Sequence, residues 1–337
     1  MRMLGRRLKR WFSLRRLSYE KTNQRDSLSF ALLCSFASPA FAASVSDSSQ
    51  VLSAAEVQTP EEIKQFLKNS PDTVVTNEYD ALKQRQAEAR ELLRQNSINT
   101  TQEEYQEAVD ILAIDPVAIF YELKEKGEPY LREHGYSETQ INAILNFDGS
   151  EDAIYRASAT VSGNLSILSQ STVGTTRKFT AKYTFAWNGA VSFSYKHLTA
   201  INSELFYLIE GSSKNDALLY YDSTATSTVR STYAPVVRMQ KCNGHGAGVD
   251  IDHSITVGTT TQTVYNIDSG YMIAEFDNLN GDRQTGISGL YVVSSVQVSP
   301  SLSATLQYRN ASASLSFDLK FGQTEYGRRE TTVRFSS

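Results

Sequence analysis

The period of the hydrophobic pattern changes near residue 150, and that change restricts the chain to a few architectures. Before it, apolar residues recur every three or four positions; after it, they alternate. Phe179, Ala181, Tyr183, Phe185 and Trp187 alternate with Lys178, Thr180, Lys182, Thr184 and Ala186, the pattern of a strand with one buried and one wet face. The stretch 302–308 alternates in the same way, as does 313–321. Arg309-Asn310-Ala311-Ser312 between them offers a turn, so the pair is the best hairpin in the chain. Further strands are expected over 154–168, 191–195, 205–209, 218–221, 229–238, 254–265, 271–276, 289–298 and 331–335. About a dozen short strands without intervening helices predict an antiparallel β-sandwich, jelly-roll-like, and exclude a parallel α/β sheet. With a helical region in front, the fold class is α+β.

Helix start signals organise that first region, 59–149. Thr59-Pro60-Glu61-Glu62 combines an N-cap, a proline at the first helical position and a glutamate three residues after the cap. Ile63, Phe66 and Leu67 then form one apolar stripe. Thr101 with Glu104 and Ser137 with Gln140 repeat the start signal, and Asp115-Pro116 is a simpler one. Residues 79–95 carry Tyr79, Leu82, Ala89, Leu92 and Leu93 at helical spacing. Gly127, Gly135 and Gly149 stand where helices should stop. Four to six short helices are expected up to about Phe147, as a bundle or as an arm along the strands. A propeptide is the alternative for this region, but no dibasic processing site follows it.

Ahead of the helices, 1–42 reads as a secretory signal peptide. Residues 1–26 hold nine basic side chains against Glu20 and Asp26, an apolar run begins near Leu28, and Ala40-Phe41-Ala42 supplies small residues for a peptidase. The run is shorter than the roughly 20 residues that span hydrocarbon, so cleavage is favoured over anchoring. Leu33 before Cys34 does not suit a lipoprotein peptidase. The expected localisation is secreted or cell-surface associated, with no stable membrane span in the mature chain and a Ser-rich mobile linker over 43–58.

Without the leader the chain carries 24 basic and 35 acidic residues, which makes nucleic acid a poor partner. The excess is confined to 43–150, with twenty acids against nine bases, while 151–337 has fifteen of each. Only Cys242 remains of the two cysteines, so no internal disulfide staples the fold.

Chemically capable residues form two clusters. Cys242, His245, Asp250, Asp252 and His253 lie within twelve positions and carry zinc-type donors. Their spacing matches no established site, and alternation puts Asp250 and Asp252 on one face and His253 on the other. A loop in which Gly244, Gly246 and Gly248 supply positive φ angles explains the same residues without metal. Asp277, Asn280 and Asp282 offer oxygen ligands for calcium, but Asn280-Gly281 is equally a turn between strands. No cofactor is required by either cluster.

No Gly-x-Ser-x-Gly elbow, His-Glu-x-x-His pair or phosphate-binding glycine loop occurs. The carboxylates Glu204, Glu210, Asp250, Asp252 and Glu275 are available to a hydrolase of polysaccharide or cell wall, yet sequence cannot pair them. Twelve of the eighteen tyrosines fall after residue 150. Most lie on the apolar strand phase and read as core; exposed ones would suit a sugar face. Ser/Thr alternation over 157–168 and 254–267 also fits a pore-forming β-hairpin. The reading that these features favour is a secreted bacterial-type binding module, non-catalytic, with a cell-surface or glycan ligand.

Overall fold

The computed structural model describes residues 53–95, 100–193, 196–223, 232–243, 245–258, 263–278, 281–294, 306–307, 316–317 and 323–335. Among the described residues six helices precede most of the strands: α1 (Pro60–Asn69), α2 (Glu78–Gln95), α3 (Gln102–Leu112), α4 (Pro116–Glu133), α5 (Glu138–Leu145) and α6 (Glu151–Ala157). The starts read from sequence are in place. Thr59, Thr101 and Ser137 each form a capping box with Glu62, Glu104 and Gln140, and Asp115 accepts from the amides of Val117 and Ala118. Gly127 takes φ 75° and kinks α4 two residues before Pro129. The expected signal peptide and most of the expected linker lie outside the described residues; near the end of the linker stretch the Val57 side chain is fully buried.

The strands make an α+β fold with a sheet-rich core. In chain order they are β1 (Val74–Asn77), β2 (Thr160–Val173), β3 (Thr176–Asn188), β4 (Lys196–Ser203), β5 (Tyr207–Leu208), β6 (Asp216–Ser223), β7 (Thr232–Tyr233) and β8 (Val236–Arg238). There follow β9 (Gln240–Asn243), β10 (Gly246–Asp252), β11 (Ser254–Val257), β12 (Thr263–Asn278), β13 (Gln284–Ser294), β14 (Leu306–Gln307), β15 (Ser316–Phe317) and β16 (Gln323–Arg334). A nine-stranded sheet runs β1-β2-β3-β12-β6-β7, with β5 and β11 on β12 and β8 on β6. A five-stranded sheet runs β16-β13-β4-β10-β9. The described register is antiparallel throughout, and the expected C-terminal hairpin is represented by the pairs Leu306 with Phe317 and Gln307 with Ser316.

One core joins the two sheets. Phe179, Tyr183, Phe185 and Trp187 of β3 share it with Ile201, Val249, Ile287 and Tyr291 of the smaller sheet. The sheets approach so closely that a Cβ on Gly289 would strike the Tyr183 ring. A second cluster gathers Leu82, Phe120, Leu131, Ile141, Ile144 and Ile154 from α2, α4, α5 and α6 around Phe193. Among the described residues no helix is long and apolar enough to cross a membrane.

Four expectations are corrected. The strand expected over 154–168 begins only at Thr160, because Ser150 caps another helix, α6, with Glu151 and Asp152 in its first turn. Val74–Asn77, inside the expected helical region, is a strand, since it pairs along β2. Residues 191–193 are not strand, whereas 196–203, unassigned from sequence, is the centre of the smaller sheet. The wet face of β3 is buried beyond the exposed Lys178: Thr180, Lys182, Thr184 and Ala186 are at most 5% exposed. The covering is α1 and the turn before it, whose Val57, Ile63, Phe66 and Leu67 pack with Ala186 and Tyr220.

Candidate functional site

The outer face of the nine-stranded sheet is covered on one side and open on the other. Its rows follow from register. Thr180 lies between Ser169 and Glu275, Ile273 between Lys182 and Asp216, and Tyr271 beside Leu218. At the covered side Lys182 donates to the carbonyl of Val57 at 2.5 Å, and its ammonium sits 3.9 Å from the Tyr271 ring centroid. Burial lowers the Lys182 amine to about 8, with Glu62 opposing. Tyr220 donates its hydroxyl proton to the Gln58 carbonyl.

Beside this strap lies a groove of about 350 Å³ lined by Leu218, Tyr271, Ile273 and Val236 and by the polar residues Ser169 and Thr180. Ser169 donates to Thr180 at 3.0 Å. The rim charges are paired: Lys214 bonds Glu275 at 2.7 Å, and Arg238 bonds Asp216 at 3.1 Å. The Lys214 and Ser212 hydrogen bonds hold the Glu275 carboxyl below its usual range. An aromatic and aliphatic floor with paired polar groups at its edge is the composition of a small-molecule or sugar site. A smaller cleft of about 270 Å³ is lined by Glu204 and Glu330 with Thr285 and Thr331; Glu204 accepts the Gly286 amide at 3.1 Å.

The first metal cluster is dispersed over several partners. Nδ1 of His245 lies 2.9 Å from the Phe206 carbonyl, and its ring packs at 4.4 Å on Tyr207. Asp250 and Asp252 are exposed on β10, as alternation predicts, while His253 sits 5.3 Å from the ring of His197. The Cys242 side chain lies outside the described residues. Among those described, no three His, Cys, Asp or Glu side chains gather as metal ligands. The glycine explanation is corrected at Gly246: it lies in β10, and a Cβ there would meet Asn202 and the Ile201 carbonyl, so close strand approach requires it rather than positive φ.

In the calcium candidate, Asn280 lies outside the described residues. Asp282 accepts from the Asn278 amide at 2.7 Å, and Arg177 donates to the Gly281 carbonyl at 2.6 Å. Gly281 has φ 82°, which suits the turn reading.

Sequence reasoning did not find a buried polar junction between α2 and the sheets. Glu78 is fully buried, and its carboxylate accepts the amides of Ser192 and Phe193. Desolvation outweighs these bonds and raises its carboxyl to about 7. Arg85, one face of α2 further on, is also fully buried. On the smaller sheet His197 contacts Tyr291, whose hydroxyl also accepts from Trp187. The available signal was a charged residue, Arg85, falling on the apolar face of a helix.

No protein-family model matches this chain, and no curated protein matches it. Among solved structures it is similar to AvmM, which catalyses macrocyclization in alchivemycin A biosynthesis, at 12% identity and a TM-score of 0.20 over 52% of this chain and 89% of that one. It is similar to a mutant of CfaE, the CFA/I adhesin of enterotoxigenic E. coli, at 11% identity and a TM-score of 0.19, over 52% of this chain and 44% of that one. Clostridium perfringens delta-toxin follows at 8% identity and a TM-score of 0.19, over 52% and 83%. Scores this low define neither a fold family nor a function.

Proposed function

We propose that the chain is an exported, non-catalytic binding protein built on a β-sandwich, which takes a saccharide from a cell surface or the medium in the groove beside Tyr271. The observation that carries this reading is the groove itself, lined by Tyr271, Leu218 and Ile273 together with Ser169 and Thr180. Sugar rings stack on such flat apolar surfaces while hydroxyl and charged groups at the edge meet their hydrogen bonds. Paired rim charges also favour binding over catalysis, because Glu275 is engaged by Lys214 and Asp216 by Arg238. Export rests on the basic leader and apolar run of 1–42.

A glycan array probed with the purified chain tests this. Saturable binding that Val236→Asp weakens at least tenfold is expected. Val236 is 67% exposed, so this variant should fold normally. Absence of any glycan signal, or binding that Val236→Asp leaves intact, would remove the groove reading. The hydrolase reading keeps one specific support, the cleft that Glu204 and Glu330 both line. Release of reducing sugar by the wild type and its loss in Glu204→Gln would establish it instead.

A further inference from the structure

The connection between β3 and β4 is gripped from the helical region by Gln140 and Glu78. Gln140 of α5 accepts the Ala190 amide at 2.9 Å and donates at 3.0 Å to the carbonyls of Ala190 and Ala157. Gly189 leaves room for it, since a Cβ there would strike the Gln140 side-chain amide. Two residues on, Glu78 at the start of α2 accepts the Ser192 amide on both carboxylate oxygens at 3.0 Å, and the Phe193 amide on Oε1. Phe193 then carries its ring into the helical cluster, edge-on to Phe120 at 5.5 Å.

The two gripping side chains differ in kind. Gln140 is neutral, whereas Glu78 is a carboxyl with 0% exposure. Its amide bonds favour the ionised form, and enclosure opposes it. The titratable groups acting on this site are Arg85 of the same helix, which supports the charge, and Tyr136 of the turn before α5. Burial pushes the Tyr136 phenol up to about 12, so it stays neutral wherever Glu78 titrates. For Glu78 enclosure outweighs the amides and Arg85. The closed junction therefore keeps the proton up to about 7, while a carboxyl released to water gives it up near 4.5.

We propose that this junction is a proton-controlled latch: with Glu78 protonated the helical cluster stays closed around Phe193, and with Glu78 ionised the β3–β4 connection comes away more readily. An open junction hydrates the charge, which a closed one cannot do. Between 4.5 and about 7 the closed form binds more protons than the open one, so closure is firmest in mild acid, weakens as pH rises through that window and levels off above it. The latch is separate from the groove at Tyr271 and does not rest on its ligand.

Amide exchange of the full chain, followed by NMR, tests the latch. After correction for intrinsic exchange, protection of the Ser192 and Phe193 amides should fall about fortyfold from pH 5 to pH 7, while staying below that of the central β3 amides throughout. Glu78→Gln should remove the fall. The proposal is overturned by protection that is flat between pH 5 and pH 7, by a fall that persists in Glu78→Gln, or by Ser192 and Phe193 amides as protected as those of β3, which would mean that the junction opens only with the whole fold. If Glu78→Gln does not fold, the carboxyl carbon of Glu78 in the wild type decides: titration near 7 supports the latch, and titration near 4.5 overturns it.

Discussion

The two faces of β3 are both buried, but by different means. The inner face, with Phe179, Tyr183, Phe185 and Trp187, meets the smaller sheet in a largely apolar interface where area and close fit stabilise the contact. On the outer face, Lys182 and Ala186 lie under α1 and the turn before it, while Thr180 lines the groove beside them. There polar groups are buried and must be matched, as the Lys182 amine is by the Val57 carbonyl and the Tyr271 ring. Alternation along a strand therefore reported two kinds of burial rather than a dry side and a wet one.

The largest blow to this contrast is Phe185→Ala, which removes a fully buried ring packed 4.7 Å from Tyr291. It should cost about 3–5 kcal/mol in urea unfolding; a loss below about 1 kcal/mol would mean that the inner face is not close-packed. Gly289→Ala attacks the same interface from the other sheet by forcing a methyl against Tyr183. A destabilisation of about 1–3 kcal/mol is expected from overpacking, and a stabilised variant would contradict the close approach.

The outer face is tested by pH. The native Lys182 amine, near 8, lies below its ordinary 10.5. Between those values the unfolded chain binds more protons, so stability should rise with pH there by roughly 1–2 kcal/mol, while below 8 the penalty stays constant. Comparing Lys182→Met with wild type from pH 7 to 9.5 isolates this slope, and identical slopes would show that the amine is not buried in solution. The smallest effect expected is that of Thr59→Ala. It breaks the capping box that starts α1 and should cost about 1 kcal/mol, read from the urea midpoint. No change would mean that α1 is held by its packing alone.

The helix starts were legible because a cap is a local device. Thr59, Thr101, Asp115 and Ser137 each satisfy amides two or three residues away. Ser150 carried a similar signal, yet the alternation that follows it obscured α6. Val74–Asn77 could not be recognised, since four residues have no period and become a strand only through β2. The groove was not legible either. Its walls come from five strands between residues 168 and 273, and only the register sets Tyr271 beside Leu218.

By itself the amino-acid order determined the helical start signals, the strand phase and therefore which β3 side chains enter the common core, because these depend on neighbours a few positions apart. Tertiary structure alone decided that α1 would cover the outer face of β3, that Arg85 would be enclosed, and that the two histidines of the metal candidate would take different partners. Those outcomes depend on contacts between distant segments. Such contacts are set by how apolar stripes and buried polar groups can all be accommodated at once, and no local pattern encodes that.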